Sequence, residues 1–412
     1  MATAPTTETE RPRSTPRLTP RFAHQGYDPE SVKLRREWVE QETEARLLHV
    51  GASPLADSPM KGRIENPIGT AQIPLGIAGP LLVNGLHANG AFYVPLATTE
   101  GALVRSYERG MTLLTRAGGV DARVLVDENC IAPTFFFSDV IESCQFAARL
   151  QDHFEEIRWH AESTTSHGRL LRIEPNVEGR NVLVRFHFFT GDAHGMNMIV
   201  KATDHACRWI MANLEPRDYR IFSGYESEKH ASASLFTGGK GKKVVAGARV
   251  PAEMLQFYLR ATPRQFVDLW QHTALGHIQA HSVGYNGHFA NGLAAIFIAC
   301  GQDVANITNA AVGITNLECT DEGDLYATVT LPSLTVGTVG GGTGQGTSRE
   351  CLELLGCAGA DTALRFAEIV AATLLAGELS MGAAIASGEF VAAHETYGRN
   401  RPTEVMAHEA SV

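Results

Sequence analysis

The chain is short of positive charge. Lys and Arg number 35 against 45 Asp and Glu, a formal net charge of −10 over 412 residues. Nucleic-acid binding needs a basic face to neutralise phosphates, so that class of partner is excluded. A local basic pocket for a phosphate-bearing cofactor is not. Cysteine is sparse too: seven scattered residues with no CxxC pair. That excludes a disulfide scaffold and a thiolate metal site, and it points to reduced thiols in a cytoplasmic setting. No apolar run approaches the roughly 20 residues of a spanning helix, so no membrane partner is expected. There is no GxSxG nucleophile elbow. Residues 1–27 are rich in Thr, Pro and Arg without an apolar stretch, which reads as a disordered tail and not a leader peptide. What remains, 44% hydrophobic and 19% charged, suits a well-packed globular enzyme of two or three domains.

Periodicity supplies the elements. Leu34, Trp38, Ala45 and Leu48 share a helical face within 29–49. The Gly/Pro-rich stretch from Glu65-Asn66-Pro67-Ile68-Gly69 to Pro80 implies a specific backbone path. A strand at 92–96 leads to Ala97-Thr98-Thr99-Glu100-Gly101, where a helix is expected to start with Glu100 in its first turn. Between 133 and 221 the pattern changes. A helix at 140–157 precedes a strand in which Val182, Val184, Phe186 and Phe188 alternate with other residues. Then Asp192-Ala193-His194-Gly195-Met196-Asn197-Met198 opens a helix. Strand, glycine turn, helix N-terminus is the layout that sets backbone N–H groups against a phosphate, although this is not the GxGxxG fingerprint. The run Gly238-Gly239-Lys240-Gly241-Lys242-Lys243 reads as a hairpin turn with an exposed basic edge. The glycine loop at 337–344 precedes a helix near 348–356, and 362–392 reads as one or two buried helices.

The chain is organised around Gly301-Gln302-Asp303. The apolar segment from Ala290 to Cys300 delivers Asp303 at its end, and an ionised carboxylate there is costly unless paired. Alone, such an Asp is more often a cap or a structural partner than a catalyst. Five long motifs change that balance: 65–69, 97–101, 192–198, 298–303 and 337–343. Together they resemble the 3-hydroxy-3-methylglutaryl-CoA (HMG-CoA) reductases, specifically the soluble part of the class I type, over about residues 60–400.

The resemblance implies an α+β fold, an HMG-CoA reductase-type large domain with an inserted ferredoxin-like NAD(P)H-binding small domain. By that likeness the chain divides into a tail at 1–27, a helical segment at 28–64, a large substrate and CoA domain at 65–132 and 222–393, the small domain at 133–221, and a flap at 394–412. It implies reduction of an acyl thioester to a primary alcohol with release of CoA, mevalonate being the product from HMG-CoA. NADPH is the expected cofactor and NADH the alternative, because the Ser-Arg pair of the family aligns with Thr165-Ser166. A homo-oligomer with active sites between subunits is implied as well.

Carried over motif by motif, Lys229 faces the oxyanion, Glu100 supplies a proton with its pKa raised by burial, and Asp303 ties both into one coupled group. His394 would protonate the thiolate. The dinucleotide would meet Arg109, Asp192, His194, Gly195, Met196, Asn197, the Gly340-Gly341-Gly342-Thr343 loop and Arg399. His288 and Asn291 would line the thioester end, while in the acyl-binding part Ser223 is kept and Glu228 replaces the family's usual Asp, a mild change. No metal is implied.

The acyl end departs from the family. Ile131, His230 and Gln271 stand where cations usually hold the substrate carboxylate, and each lost charge pair costs about 3–5 kcal/mol. Three such losses raise the alternative of another acyl-CoA or carrier-protein thioester. A non-catalytic CoA-ester-binding homologue is the reading from a different class, and the full set Glu100, Lys229, Asp303 and His394 argues against it.

Overall fold

The computed structural model describes residues 28–43 and 62–388. The expected tail at 1–27 and the residues His394 and Arg399 lie outside that range. The chain forms two compact units, divided between Gln72 and Ile73.

In the first unit, helix α1 spans Pro29–Thr43, with the Asp28 carboxylate accepting from the N–H of Ser31 at 2.9 Å. Its buried face differs from the expected one. Val32 and Arg35 are buried and Leu34 is exposed, while Ala45 and Leu48 lie outside the described residues. A buried guanidinium must be bonded, and Arg35 Nη1 donates to the Pro67 carbonyl at 2.7 Å.

The second unit opens with the hairpin β1 (Leu75–Gly85) and β2 (Asn89–Ala97), then α2 (Leu103–Arg116). Strand β3 (Val120–Ile131) is the pivot of the whole sheet. Its first part pairs in parallel with β1 and antiparallel with β8 (Gly241–Val250), and its last residues, Asn129 to Ile131, pair with β6 (Asn181–Phe189). Between them lie β4 (Thr134–Phe136), α3 (Val140–Leu150), α4 (Phe154–Glu162) and β5 (Arg169–Glu178). After β6 come α5 (Met196–Leu214) and β7 (Asp218–Arg220). These four strands run antiparallel in the order β7-β4-β6-β5. With the helices between them they make the β-α-β-β-α-β ferredoxin-like arrangement. Val182, Val184, Phe186 and Phe188 are all fully buried, as their alternation predicts, and head a hydrophobic cluster drawn from Ile131 to Leu214.

The larger core collects the remaining elements: α6 (Ala252–Leu259), α7 (Pro263–Gln279), α8 (Phe289–Ala299), α9 (Ile307–Ala310), β9 (Ile314–Cys319), β10 (Leu325–Leu334), α10 (Gly346–Leu354) and α11 (Ala363–Ala386). Helix α11 corrects one expectation. It is a single 24-residue helix, long and apolar enough to cross a membrane, because its two glutamates do not lower the hydropathy enough. Yet 83% of its most apolar window is buried inside the protein, which makes it the core helix.

Its two glutamates and Ser380 each meet a distant segment. Glu368, fully buried, accepts from the N–H groups of Leu86, His87 and Ala88 in the β1–β2 turn. Glu378 accepts from the N–H groups of Gly287 and His288 and from the Thr315 hydroxyl. Ser380 meets Arg109.

The glycine–lysine run is also corrected. It is no exposed hairpin: Gly241 begins β8, and Lys240 and Lys242 are 1% and 2% exposed. Burial is tolerated because Lys240 pairs with Glu228, and Lys242 pairs with Asp127 at 2.7 Å. All seven cysteines are free thiols, with Cys144 and Cys319 exposed.

Candidate active site

Asp303 sits where the apolar α8 ends. Gly301 turns the chain with φ 64°, and a Cβ there would lie 2.5 Å from the Gly342 carbonyl, so the 301–303 turn and the glycine loop are in direct backbone contact. One Asp303 oxygen accepts from the N–H of Ala305 at 3.1 Å, and the other is 2.9 Å from Lys229 Nζ. The Asp303 carboxylate raises the Lys229 pKa, against the smaller opposing effect of burial, so the ammonium stays charged. Lys229 and Ser227 both hold left-handed backbone conformations, φ 57° and 55°. Non-glycine residues pay for that conformation, and such strain tends to collect at functional loops.

Next to Lys229, Glu228 points inward to Lys240, whose Nζ also donates to the Cys130 carbonyl at 3.1 Å. His194 lies on the same cluster, Nε2 3.8 Å from Glu228 and 3.4 Å from the Asn306 amide. Burial lowers the His194 pKa below its ordinary value, which favours the neutral ring. His194, Glu228 and Asp303 converge within 4.8 Å, a spacing that could hold a metal ion. Both carboxylates, however, already face an ammonium group, which supplies the balancing charge in place.

Glu100 stands elsewhere. It lies before α2, not in its first turn, since Ala102 with φ 70° forms the N-cap and the helix begins at Leu103. It is exposed, so the expected burial does not hold. The Asn291 amide donates to it at 3.1 Å, and among the described residues no hydrogen bond or ion pair joins it to Lys229 or Asp303. Glu100, Asn291 and His288 line a cavity of about 620 Å³ floored by α2 and the end of α11. His288 is fixed there by Glu378, Nδ1 to Oε1 3.0 Å, and by stacking on Tyr107 with ring centres 5.5 Å apart. Arg109 also lines this cavity, but its Nε and Nη2 donate to the hydroxyl and carbonyl of Ser380 at 3.0 and 2.6 Å.

The expected dinucleotide turn leaves β6 through Gly191 and enters α5 at Gly195, φ 80°. No side chain caps that helix and no acidic residue lies in its first turn, which leaves its N-terminus suited to an anion. Asn197 is exposed there, and the Met196 sulfur accepts from Lys240 at 3.6 Å. Thr165 bonds the Met198 sulfur at 3.0 Å, so the 165–168 turn lies beside the same helix end. Asp192, at the start of the expected dinucleotide turn, reaches the N-terminus of α11. Its carboxylate accepts from the N–H groups of Asp361, Thr362 and Ala363 at 2.8, 3.0 and 3.0 Å. Gly340, exposed with φ 81°, leads into a short 3-10 turn at Gly341–Gly344 in which Thr343 is buried, and α10 starts at Gly346, two residues earlier than expected.

The three substituted positions do not converge on one pocket. Ile131 is fully buried in the smaller core, held there by pairing with Phe186, and so is corrected from a substrate-facing residue to a core residue. His230 is exposed with Nδ1 2.6 Å from the Glu228 carbonyl, and Gln271 is exposed on α7. Ser223 donates to the Ala132 carbonyl at 2.7 Å, bracing the loop that carries Lys229. Sequence reasoning missed Lys240 and Glu378, which hold Glu228 and His288. The two glutamates interrupting the apolar α11 were the available signal for the second.

Fold and site together define an α+β protein with a carboxylate–ammonium centre beside a dinucleotide-type turn. The chain belongs to the hydroxymethylglutaryl-coenzyme A reductase family, whose sequence pattern matches residues 31–399. It is 42% identical over 377 residues to the 3-hydroxy-3-methylglutaryl-coenzyme A reductase of Methanocaldococcus jannaschii, covering 90% of this chain and 93% of that one. It is 44% identical over 380 residues to that of Aeropyrum pernix, covering 90% of each. Among solved structures it is similar to the class II 3-hydroxy-3-methylglutaryl-CoA reductase of Streptococcus pneumoniae bound to NADPH in open conformations. There the TM-score is 0.64 at 20% identity, over 88% of this chain and 100% of the other.

Proposed function

We propose that this chain reduces the thioester of 3-hydroxy-3-methylglutaryl-CoA to the primary alcohol, consuming two NADPH and releasing CoA. The observation that carries the reading is the Lys229–Asp303 pair at 2.9 Å beside the uncapped N-terminus of α5. When bound, the nicotinamide supplies hydride. The chain's own residues do the rest. Lys229, held charged by Asp303, stabilises negative charge developing on the carbonyl oxygen. Glu100, oriented by Asn291, is the proton source for that oxygen. The cavity beside it, with His288 fixed by Glu378, takes the thioester arm. His194 through Asn197 and the Gly340–Thr343 loop are assigned to the dinucleotide, and residues 133–221 to a small domain that carries it. The alternative of another acyl thioester is not favoured, because relatives at 42% and 44% identity carry the 3-hydroxy-3-methylglutaryl name.

The reading includes a site completed between two copies. In one chain Glu100 belongs to the α2–α8 cavity and Lys229 to the Asp303 cluster, with no described bond between them. Purified protein should oxidise NADPH with 3-hydroxy-3-methylglutaryl-CoA, and Lys229→Ala should abolish this. Mixing Lys229→Ala with Glu100→Gln should restore part of the activity when the site is shared. Turnover of simple acyl-CoAs but not of 3-hydroxy-3-methylglutaryl-CoA would overturn the substrate. No recovery on mixing would overturn the shared site.

A further inference from the structure

We infer that Asp192 is a positioning residue that locks the dinucleotide turn to the catalytic pair, and not a ligand of the dinucleotide. The inference rests on the dinucleotide reading of residues 194–197 given above.

Helix α11 has no side-chain cap of its own at Thr362 and no acidic residue in its first turn. The first N–H groups of a helix lack partners inside it and carry partial positive charge. Asp192 meets both needs from 170 residues away in sequence: one carboxylate oxygen takes Thr362 and Ala363, the other takes Asp361. With three N–H donors already on it, the carboxylate is committed. The same residue's carbonyl accepts from the N–H groups of Thr338 and Val339 at 2.8 and 3.2 Å.

Gly337, just before, shows how tight the join is. A Cβ there would lie 2.6 Å from the His194 nitrogen and 2.8 Å from the Asp192 carbonyl oxygen. Its N–H in turn donates to the Gln302 side-chain carbonyl at 2.9 Å. Gln302 precedes Asp303, which holds Lys229. Thr362 adds a second tie, its hydroxyl donating to Thr338 Oγ1 at 3.0 Å. The path from the turn to the catalytic pair is therefore Asp192, the 337–338 backbone, Gln302, Asp303, Lys229. Each link is a hydrogen bond or a peptide bond, and the core helix anchors its start.

A lock of this kind sets where the bound nicotinamide stands relative to Lys229. Misplacement by about 1 Å at a reacting centre costs on the order of 100-fold in rate. Loss of a direct ligand would instead weaken cofactor binding.

The test compares Asp192→Ala, Asp192→Asn, Gln302→Leu and the Asp192→Ala/Gln302→Leu pair with the unaltered protein. The readouts are kcat at saturating substrates, NADPH Kd by quenching of tryptophan fluorescence, and amide hydrogen exchange at 337–339 and 361–363. Asp192→Ala should lower kcat by about 10- to 100-fold while NADPH Kd changes less than about threefold. Asp192→Asn, which keeps one accepting oxygen, should fall between. The double variant should lose little more than Asp192→Ala alone, since both act along one path.

A tenfold rise in NADPH Kd with unchanged kcat would make Asp192 a ligand and overturn the inference. A lowered melting temperature with unchanged kcat in the cold would make it a cap and nothing more. Should the unaltered protein fail to oxidise NADPH, the reductase reading has failed instead. Faster exchange at both 337–339 and 361–363 in Asp192→Ala still supports the lock in that case, and unchanged exchange refutes it.

Discussion

Lys240 is the residue whose removal should be felt most, although it touches no assigned ligand. Its side chain is 2% exposed, its ammonium pairs with Glu228, and it also satisfies the Cys130 carbonyl. The substitution Lys240→Met keeps the volume and removes the charge. Glu228, 13% exposed, then faces the interior with its ammonium gone. Breaking one side of a buried pair costs about 3–5 kcal/mol, far more than the 0–1 kcal/mol of an exposed pair. The Glu228 carboxylate is also adjacent to Lys229 in the chain, so its movement should disturb the catalytic loop. Urea unfolding followed by tryptophan fluorescence would show the loss as a lower midpoint at unchanged slope. The companion is Lys240→Met with Glu228→Gln, which removes the stranded charge and should recover at least half of the loss. If Lys240→Met stays within about 1 kcal/mol of the unaltered protein, or the double variant is no better than the single, the pair is not buried in the energetic sense and the argument fails.

Gly377→Ala would ordinarily stabilise a helix by about 1 kcal/mol. Here its Cβ would lie 2.5 Å from the Tyr107 ring and 2.8 Å from His288, so thermal melts should show destabilisation of about 1–3 kcal/mol and kcat should fall with it. His187, 2% exposed, has its pKa lowered by burial and then by the Arg172 guanidinium, against the opposing pull of Glu174 and Glu128. The unfolded chain therefore binds more protons than the folded one below the ordinary histidine pKa of about 6.5. Stability should be complete above that pH and fall as acid takes it down through the folded pKa. His187→Gln should flatten the pH 8 to 5 stability profile, and a profile unchanged by the substitution would contradict the assignment.

Much of this arrangement was legible in the chain because the signals were local. The period-2 run at Val182–Phe188 needs no knowledge of its partners to declare a buried strand, and it forms one. The turn at Gly191–Gly195 and the helix after it are written in glycines whose positive φ the backbone uses. The motif around Gly301 likewise marks a close approach, and the glycine loop packs directly on it. What was not legible is what depends on pairing across the chain. A Gly-Gly-Lys-Gly-Lys-Lys run has the same composition whether it turns in solvent or enters a buried strand. The difference lies in Glu228 and Asp127, residues from other segments. Ile131 shows the converse: a position inferred to face substrate from alignment alone, where strand pairing turns the side chain into the smaller core.

Helix α11 brings these threads to one point. By composition it is an apolar helix in which two buried glutamates and a serine look like defects. In the fold each one is a fastening. Glu368 holds the β1–β2 turn, Glu378 holds the His288 backbone and ring, Ser380 holds Arg109, and the helix start is held by Asp192. Two of those four, Glu378 and Ser380, bear directly on residues lining the 620 Å³ cavity, and Asp192 bears on the dinucleotide turn. A carboxylate in so apolar a setting survives only when donors are brought to it. The polar interruptions of a core helix therefore identify the segments it positions. The same physical cost that makes them improbable in a core is what fixes the catalytic segments around it.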